Sequence, residues 1–85
     1  MILKKFSAKW CSSCRVLQTA WEKLQVKYTD VQFESIDADA EPATLQALGI
    51  MSIPTVIFMK DDAEVGRIVG AQRMADYEKI IDEKK

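Results

Sequence analysis

Cys11 and Cys14, in the run Trp10-Cys11-Ser12-Ser13-Cys14, are the only cysteines among 85 residues, and the chain has no histidine. Two thiols at this spacing can serve as half of a zinc site or as a redox-active dithiol. Structural zinc normally takes four thiolate or imidazole ligands, so zinc here would need a second copy of the chain or carboxylate ligands, and no metal is expected. The dithiol reading gains from position. The pair falls where a short apolar strand, Met1 to Ala8, hands over to an amphipathic helix running to about Tyr28. Thiols three residues apart at a helix start are close enough to form a disulfide within one turn. The first also lies at the positive end of the helix dipole, where a thiolate is stabilised.

The elements that must position this pair follow from hydropathy and turn signals. Ile2 to Ala8 reads as a strand, and Val16, Leu17, Ala20, Trp21, Leu24 and Tyr28 recur at helical spacing, with Trp21 and Tyr28 expected in the core. Val31 to Asp37 reads as a second strand whose polar content suits a sheet edge. Asp39 to Gly49 reads as a short helix with Asp39 as its cap, Pro42 in its first turn and Gly49 as its stop. Thr55 to Met59 is continuously apolar and so expected to be buried on both faces. Lys60 to Ala63 turns into a fourth strand, about Glu64 to Val69, and Met74, Tyr77, Ile80 and Ile81 give a last helix its apolar face. The order is βαβαββα, a single α/β domain over residues 1–85.

Composition excludes several classes of function. Twelve basic and thirteen acidic residues leave a net charge of −1, and no Lys/Arg cluster exceeds a pair, so no nucleic-acid partner is expected. The longest apolar run, Ile53 to Met59, contains a proline and a threonine and is far short of a membrane span. A charge as early as Lys4 does not suit the apolar stretch of a signal peptide. A cytoplasmic monomer is expected, and in a reducing cytosol a close cysteine pair is more often catalytic than structural.

Four segments together resemble the thioredoxin family: Phe6-Ser7-Ala8-Lys9-Trp10-Cys11-x-x-Cys14, Ile36-Asp37-Ala38-Asp39, Gly49-Ile50-Met51-Ser52-Ile53-Pro54-Thr55 and Val69-Gly70-Ala71. Their separations match the family as well, so the resemblance runs over essentially the whole chain, in a short form without the strand and helix that ordinarily precede the active-site strand. The resemblance implies a four-stranded mixed sheet flanked by three helices. It implies that Cys11 is the nucleophile, nearer the solvent, that Cys14 resolves the mixed disulfide, and that the two form a redox-active disulfide. It places a cis peptide bond before Pro54, and a substrate groove bordered by Trp10, Met51, Ile53, Pro54, Val69, Gly70 and Ala71. Protein disulfides are the implied substrates, bound by main-chain strand addition. No bound cofactor is implied, and electrons are expected from a flavin- and NADPH-dependent thioredoxin reductase or a similar donor.

Three departures from the family are visible. Ser12-Ser13 stand between the cysteines in place of Gly-Pro, and the donors this restores predict a disulfide some tens of millivolts more oxidising than the roughly −270 mV of thioredoxin. The hairpin after Lys60 uses Asp61-Asp62 where a glycine is usual. Lys5 occupies the strand position of the family's buried aspartate, and the lysine that accompanies that aspartate is replaced by Phe33. Lys5 is therefore a candidate for proton handling or thiolate stabilisation, against the alternative that it reaches solvent along its own stem. Two other functions compete. A glutaredoxin-like enzyme would draw on glutathione, but Gly70-Ala71-Gln72 lacks the Gly-Gly turn glutaredoxins use for the tripeptide. A thioredoxin-fold binding subunit would not need both cysteines.

Overall fold

Alternation along Ile2–Ser7 builds β1, with Leu3 and Lys5 on one face and Phe6 on the other. The computed structural model describes all 85 residues. From β1 the chain continues through α1 (Ser12–Lys27), β2 (Gln32–Asp37), a 3-10 turn (Ala38–Ala40), α2 (Pro42–Ala47), β3 (Thr55–Lys60), β4 (Ala63–Val69) and α3 (Met74–Lys84). The sheet order is β2-β1-β3-β4. β1 runs parallel to β2 and antiparallel to β3, and β4 is antiparallel to β3, so the sheet is mixed and β2 lies at an edge.

Register sets what each face buries. Leu3 stands opposite Phe58, and Lys5 opposite Val56, so these four side chains share a face. Against it pack Leu17, Trp21 and Leu24 of α1 and Tyr77 and Ile81 of α3, forming the main core cluster. On the other face Phe6, Thr55 and Ile57 are also buried, which is why β3 reads as a continuous apolar run rather than an alternating one. One aromatic contact ties α1 to the sheet, and one ties it to α3. Trp21 meets Phe33 of β2 edge-on at 5.2 Å, and the Tyr28 hydroxyl donates to Asp82 of α3 at 2.9 Å.

Strand ends shift by one residue, β1 stopping at Ser7 and β2 starting at Gln32, and three further details depart from the sequence reading. Val16 is 71% exposed; the buried stripe of α1 is Cys14, Leu17, Trp21 and Leu24, and Val16 lies one 100° step off it. The segment after β2 is not one helix capped by Asp39. Asp37 accepts from the Asp39 amide at 3.0 Å to cap the 3-10 turn, and α2 starts separately at Pro42 with no side-chain cap. The break has a local cause: a residue before proline is pushed out of helical geometry, and Glu41 sits at φ −131°, ψ 52°. The third strand runs one residue further, to Lys60, which pairs with Ala63 across a two-residue turn. Asp61 and Asp62 both hold positive φ there, 52° and 65°, the conformation that favours Asn-Gly in such hairpins.

Candidate active site

The β1–α1 junction presents the two sulfurs. Cys11 occupies the cap position of α1, and its Sγ accepts the Cys14 backbone N–H at 3.2 Å. Sulfur here does the work that a serine or aspartate oxygen does at most helix starts, so the helix N-terminus directs a donor and its dipole at the Cys11 sulfur. Cys11 and Cys14 are joined as a disulfide with Cα atoms 5.3 Å apart. The sequence expectation that Cys11 lies nearer the solvent is not visible in this oxidised form, because both residues are 5% exposed. They differ in what they border. Cys11 lines a cleft of about 530 Å³ with Trp10, Met51 and Ile53, whereas Cys14 lines a separate cleft of about 340 Å³ with Lys5.

Ser13 adds a second polar contact, its Oγ lying 3.4 Å from the Cys11 sulfur. One hydrogen bond to an ionised group contributes about 1.5–3 kcal/mol. Ser13→Ala is therefore expected to raise the Cys11 thiol pKa by about one to two units. Alkylation rate against pH reads this, and an unchanged midpoint would assign thiolate stabilisation to the helix N-terminus alone.

The first cleft is built from three loops. Trp10 is 66% exposed and Met51 97%, and the Trp10 indole N–H donates to Asp39 at 2.8 Å, fixing the ring toward the turn after β2. Ile53 packs on the small cluster formed by Ala8, Cys11 and Cys14, and its carbonyl oxygen lies 3.9 Å from the Cys11 sulfur. The Ile53–Pro54 peptide is cis. Pro54 is buried and its carbonyl accepts the Gly70 N–H at 2.7 Å, which brings Gly70 beside it. Gly70 sits at φ +82°, a conformation that disfavours side chains with a Cβ. Val69 is half exposed and pairs with Thr55, and Ala71 packs on the main core; of the residues expected to border the groove, Trp10, Met51 and Ile53 line this cleft, and Pro54, Val69, Gly70 and Ala71 do not.

The loop carrying Met51 to Ile53 is tied to the sheet by Arg67, which sequence reasoning missed. Its guanidinium donates twice to the Glu64 carboxylate and once to the Leu48 carbonyl, each at 2.8 Å. Arg67→Met should cost about 1–2 kcal/mol of stability and speed amide exchange across Gly49 to Ser52; unchanged exchange there would show that the loop is held by other contacts. Hydrogen bonding from Arg67 also holds the Glu64 carboxyl below its ordinary value. A lowered carboxyl contributes stability at neutral pH that is lost as pH falls through that lowered value.

Lys5 does not reach bulk solvent. It is 4% exposed, its ammonium donates to Gln18 Oε1 at 2.6 Å, and it stands 5.0 Å from the centre of the Trp21 ring. Burial pushes its pKa down, partly offset by Glu22.

Known proteins resemble this chain in both sequence and fold. The family model described as Thioredoxin matches residues 1–83. The chain is 36% identical to Thioredoxin H8 of Arabidopsis thaliana over 72 residues, covering 85% of this chain and 49% of that protein. It is 36% identical to the thioredoxin of Chlamydia muridarum over 81 residues, covering 95% of this chain and 79% of that one. Among solved structures, the crystal structure of thioredoxin NaTrxh from Nicotiana alata superposes with a TM-score of 0.92 at 34% identity, covering 99% of this chain and 72% of that one. This chain belongs to the thioredoxin family. It spans about half the length of the Arabidopsis relative and 58% of Thioredoxin H5 from rice.

Proposed function

We propose that this protein is a thiol–disulfide oxidoreductase that reduces protein disulfides through Cys11 and Cys14. The observation that carries this reading is the closed pair at the head of α1, with the Cys14 amide on the Cys11 sulfur. In the reduced protein that amide and the Ser13 hydroxyl favour Cys11 as thiolate. The thiolate attacks one sulfur of a substrate disulfide, forming a mixed disulfide and expelling the other substrate sulfur as thiolate, which takes a proton from water. Cys14 then loses its proton and attacks the Cys11 sulfur. The bond to the substrate breaks, the second substrate sulfur leaves with its electron pair, and the Cys11–Cys14 disulfide closes. That second thiolate also takes a proton from water, so the substrate has gained two electrons from the dithiol and two protons through the solvent.

The exposed Trp10 and Met51 beside Cys11, with the Ile53 and Pro54 backbone and the Val69-Gly70 edge, suit an extended substrate segment held by main-chain bonds rather than by a shaped pocket. The chain acts as a monomer with no bound cofactor, and we assign the recharging electrons to an NADPH-dependent flavin thioredoxin reductase in the cytoplasm. No helix of the structure is long and apolar enough to cross a membrane. The test supplies the oxidised protein with NADPH and a thioredoxin reductase, or with glutathione and its reductase. NADPH oxidation with the first system and not the second is expected. The reverse would make the protein a glutathione-dependent enzyme.

A further inference from the structure

The second cleft shares no lining residue with the cleft assigned to the substrate segment. About 340 Å³ in volume, it is lined by Lys5 and Ser7 of β1, Cys14 and Gln18 of α1, and Ser35 and Asp37 of β2. Lys5 is its most buried charge, and its ammonium is shared between the Gln18 carbonyl and the face of Trp21, both of which favour the cation. No carboxylate forms an ion pair with it. A buried cation without a counter-ion is costly. The group in this cleft that can become its counter-ion during turnover is the sulfur of Cys14.

We infer that Lys5 supplies the positive charge that stabilises Cys14 as thiolate for the resolving step, with the Cys14 proton leaving to water in the cleft. The inference rests on the disulfide-exchange reading for its place in the cycle. The chain has no histidine, and the volume accommodates several waters at roughly 30 Å³ each. The other charges facing the cleft are Lys9 and Arg15 at its rim and Asp37 on β2, with Glu22 acting on Lys5 from the next turn of α1. Asp37 already accepts the Asp39 amide. Lys5 is thus a positioning charge that acts through Cys14, raising the fraction of thiolate available to attack the Cys11 sulfur of the mixed disulfide. Resolution rate follows that fraction below the thiol pKa.

The test isolates Cys14 by the Cys11→Ser substitution, which leaves it as the sole thiol. Ultraviolet thiolate absorbance is then followed against pH in Cys11→Ser, in Cys11→Ser/Lys5→Met and in Cys11→Ser/Gln18→Glu. Gln18 is exposed, so the glutamate keeps the fold and neutralises Lys5 in place even where Lys5→Met does not fold. The expected result is a midpoint raised in both double variants, with about three- to tenfold less thiolate below the midpoint. Release of a chromophoric thiol from a mixed disulfide preformed on Cys11 should slow by the same factor in Gln18→Glu, and Asp37→Asn should not slow it. Superimposable titrations would overturn the proposal, as would Asp37→Asn slowing release as much as Gln18→Glu. A protein that forms no mixed disulfide on Cys11 would refute the exchange reading instead, and the Cys14 titration would still decide the role of Lys5.

Discussion

Cys11→Ser is expected to bring protein-disulfide reduction down to the uncatalysed rate, and Cys14→Ser to leave the protein covalently joined to its substrate. The asymmetry follows from the helix start. The Cys14 amide and the Ser13 hydroxyl are both directed at the Cys11 sulfur, which favours that sulfur as the attacking thiolate. The cleft with exposed Trp10 and Met51 also opens onto Cys11 and not onto Cys14. Without Cys14 no thiol remains to release the mixed disulfide. Mass spectrometry of each variant after exposure to a disulfide substrate checks both halves. Adducts on Cys14 in the Cys11→Ser protein, with none on Cys11 in the other, would reverse the roles.

The largest effect on stability is expected from Trp21→Ala. Trp21 is 1% exposed and lies between the Phe33 ring, edge-on at 5.2 Å, and the Lys5 ammonium at 5.0 Å. Truncating a buried tryptophan costs about 3–5 kcal/mol through lost transfer energy and the remaining cavity. Here it also removes the aromatic face beneath a buried cation, adding about 1 kcal/mol. Small domains hold about 5–15 kcal/mol in total, so the variant should unfold at a much lower urea midpoint or be largely unfolded without denaturant. A loss below about 1 kcal/mol would mean that the surrounding side chains collapse into the space.

The features legible in the sequence were local and periodic. The helical recurrence of Leu17, Trp21, Leu24 and Tyr28, the apolar run of β3 and the polar edge strand each left a pattern within their own segments, and the structure keeps all three. Boundaries moved where neighbouring residues competed for one role. Asp37 and Asp39 could each have capped the segment after β2, and Pro42 decided the outcome by keeping Glu41 out of helical geometry. The contacts that were missed join residues far apart in the chain. Trp10 to Asp39, Arg67 to Leu48 and Lys5 to Gln18 are separated by 29, 19 and 13 residues, and no local pattern announces them. Lys5 stood out in the sequence as an anomaly, and its exclusion from solvent did not. That depends on Trp21 and Gln18 closing over it from α1.

Insulin reduction by dithiothreitol, followed as turbidity with catalytic amounts of the protein, asks whether this chain reduces disulfides through its one dithiol. The wild-type chain should shorten the lag and steepen the rise in proportion to its concentration, and the Cys11→Ser/Cys14→Ser protein should match the curve with no protein added. A wild-type curve indistinguishable from dithiothreitol alone, given by folded protein with both thiols free, would contradict disulfide reduction through Cys11 and Cys14.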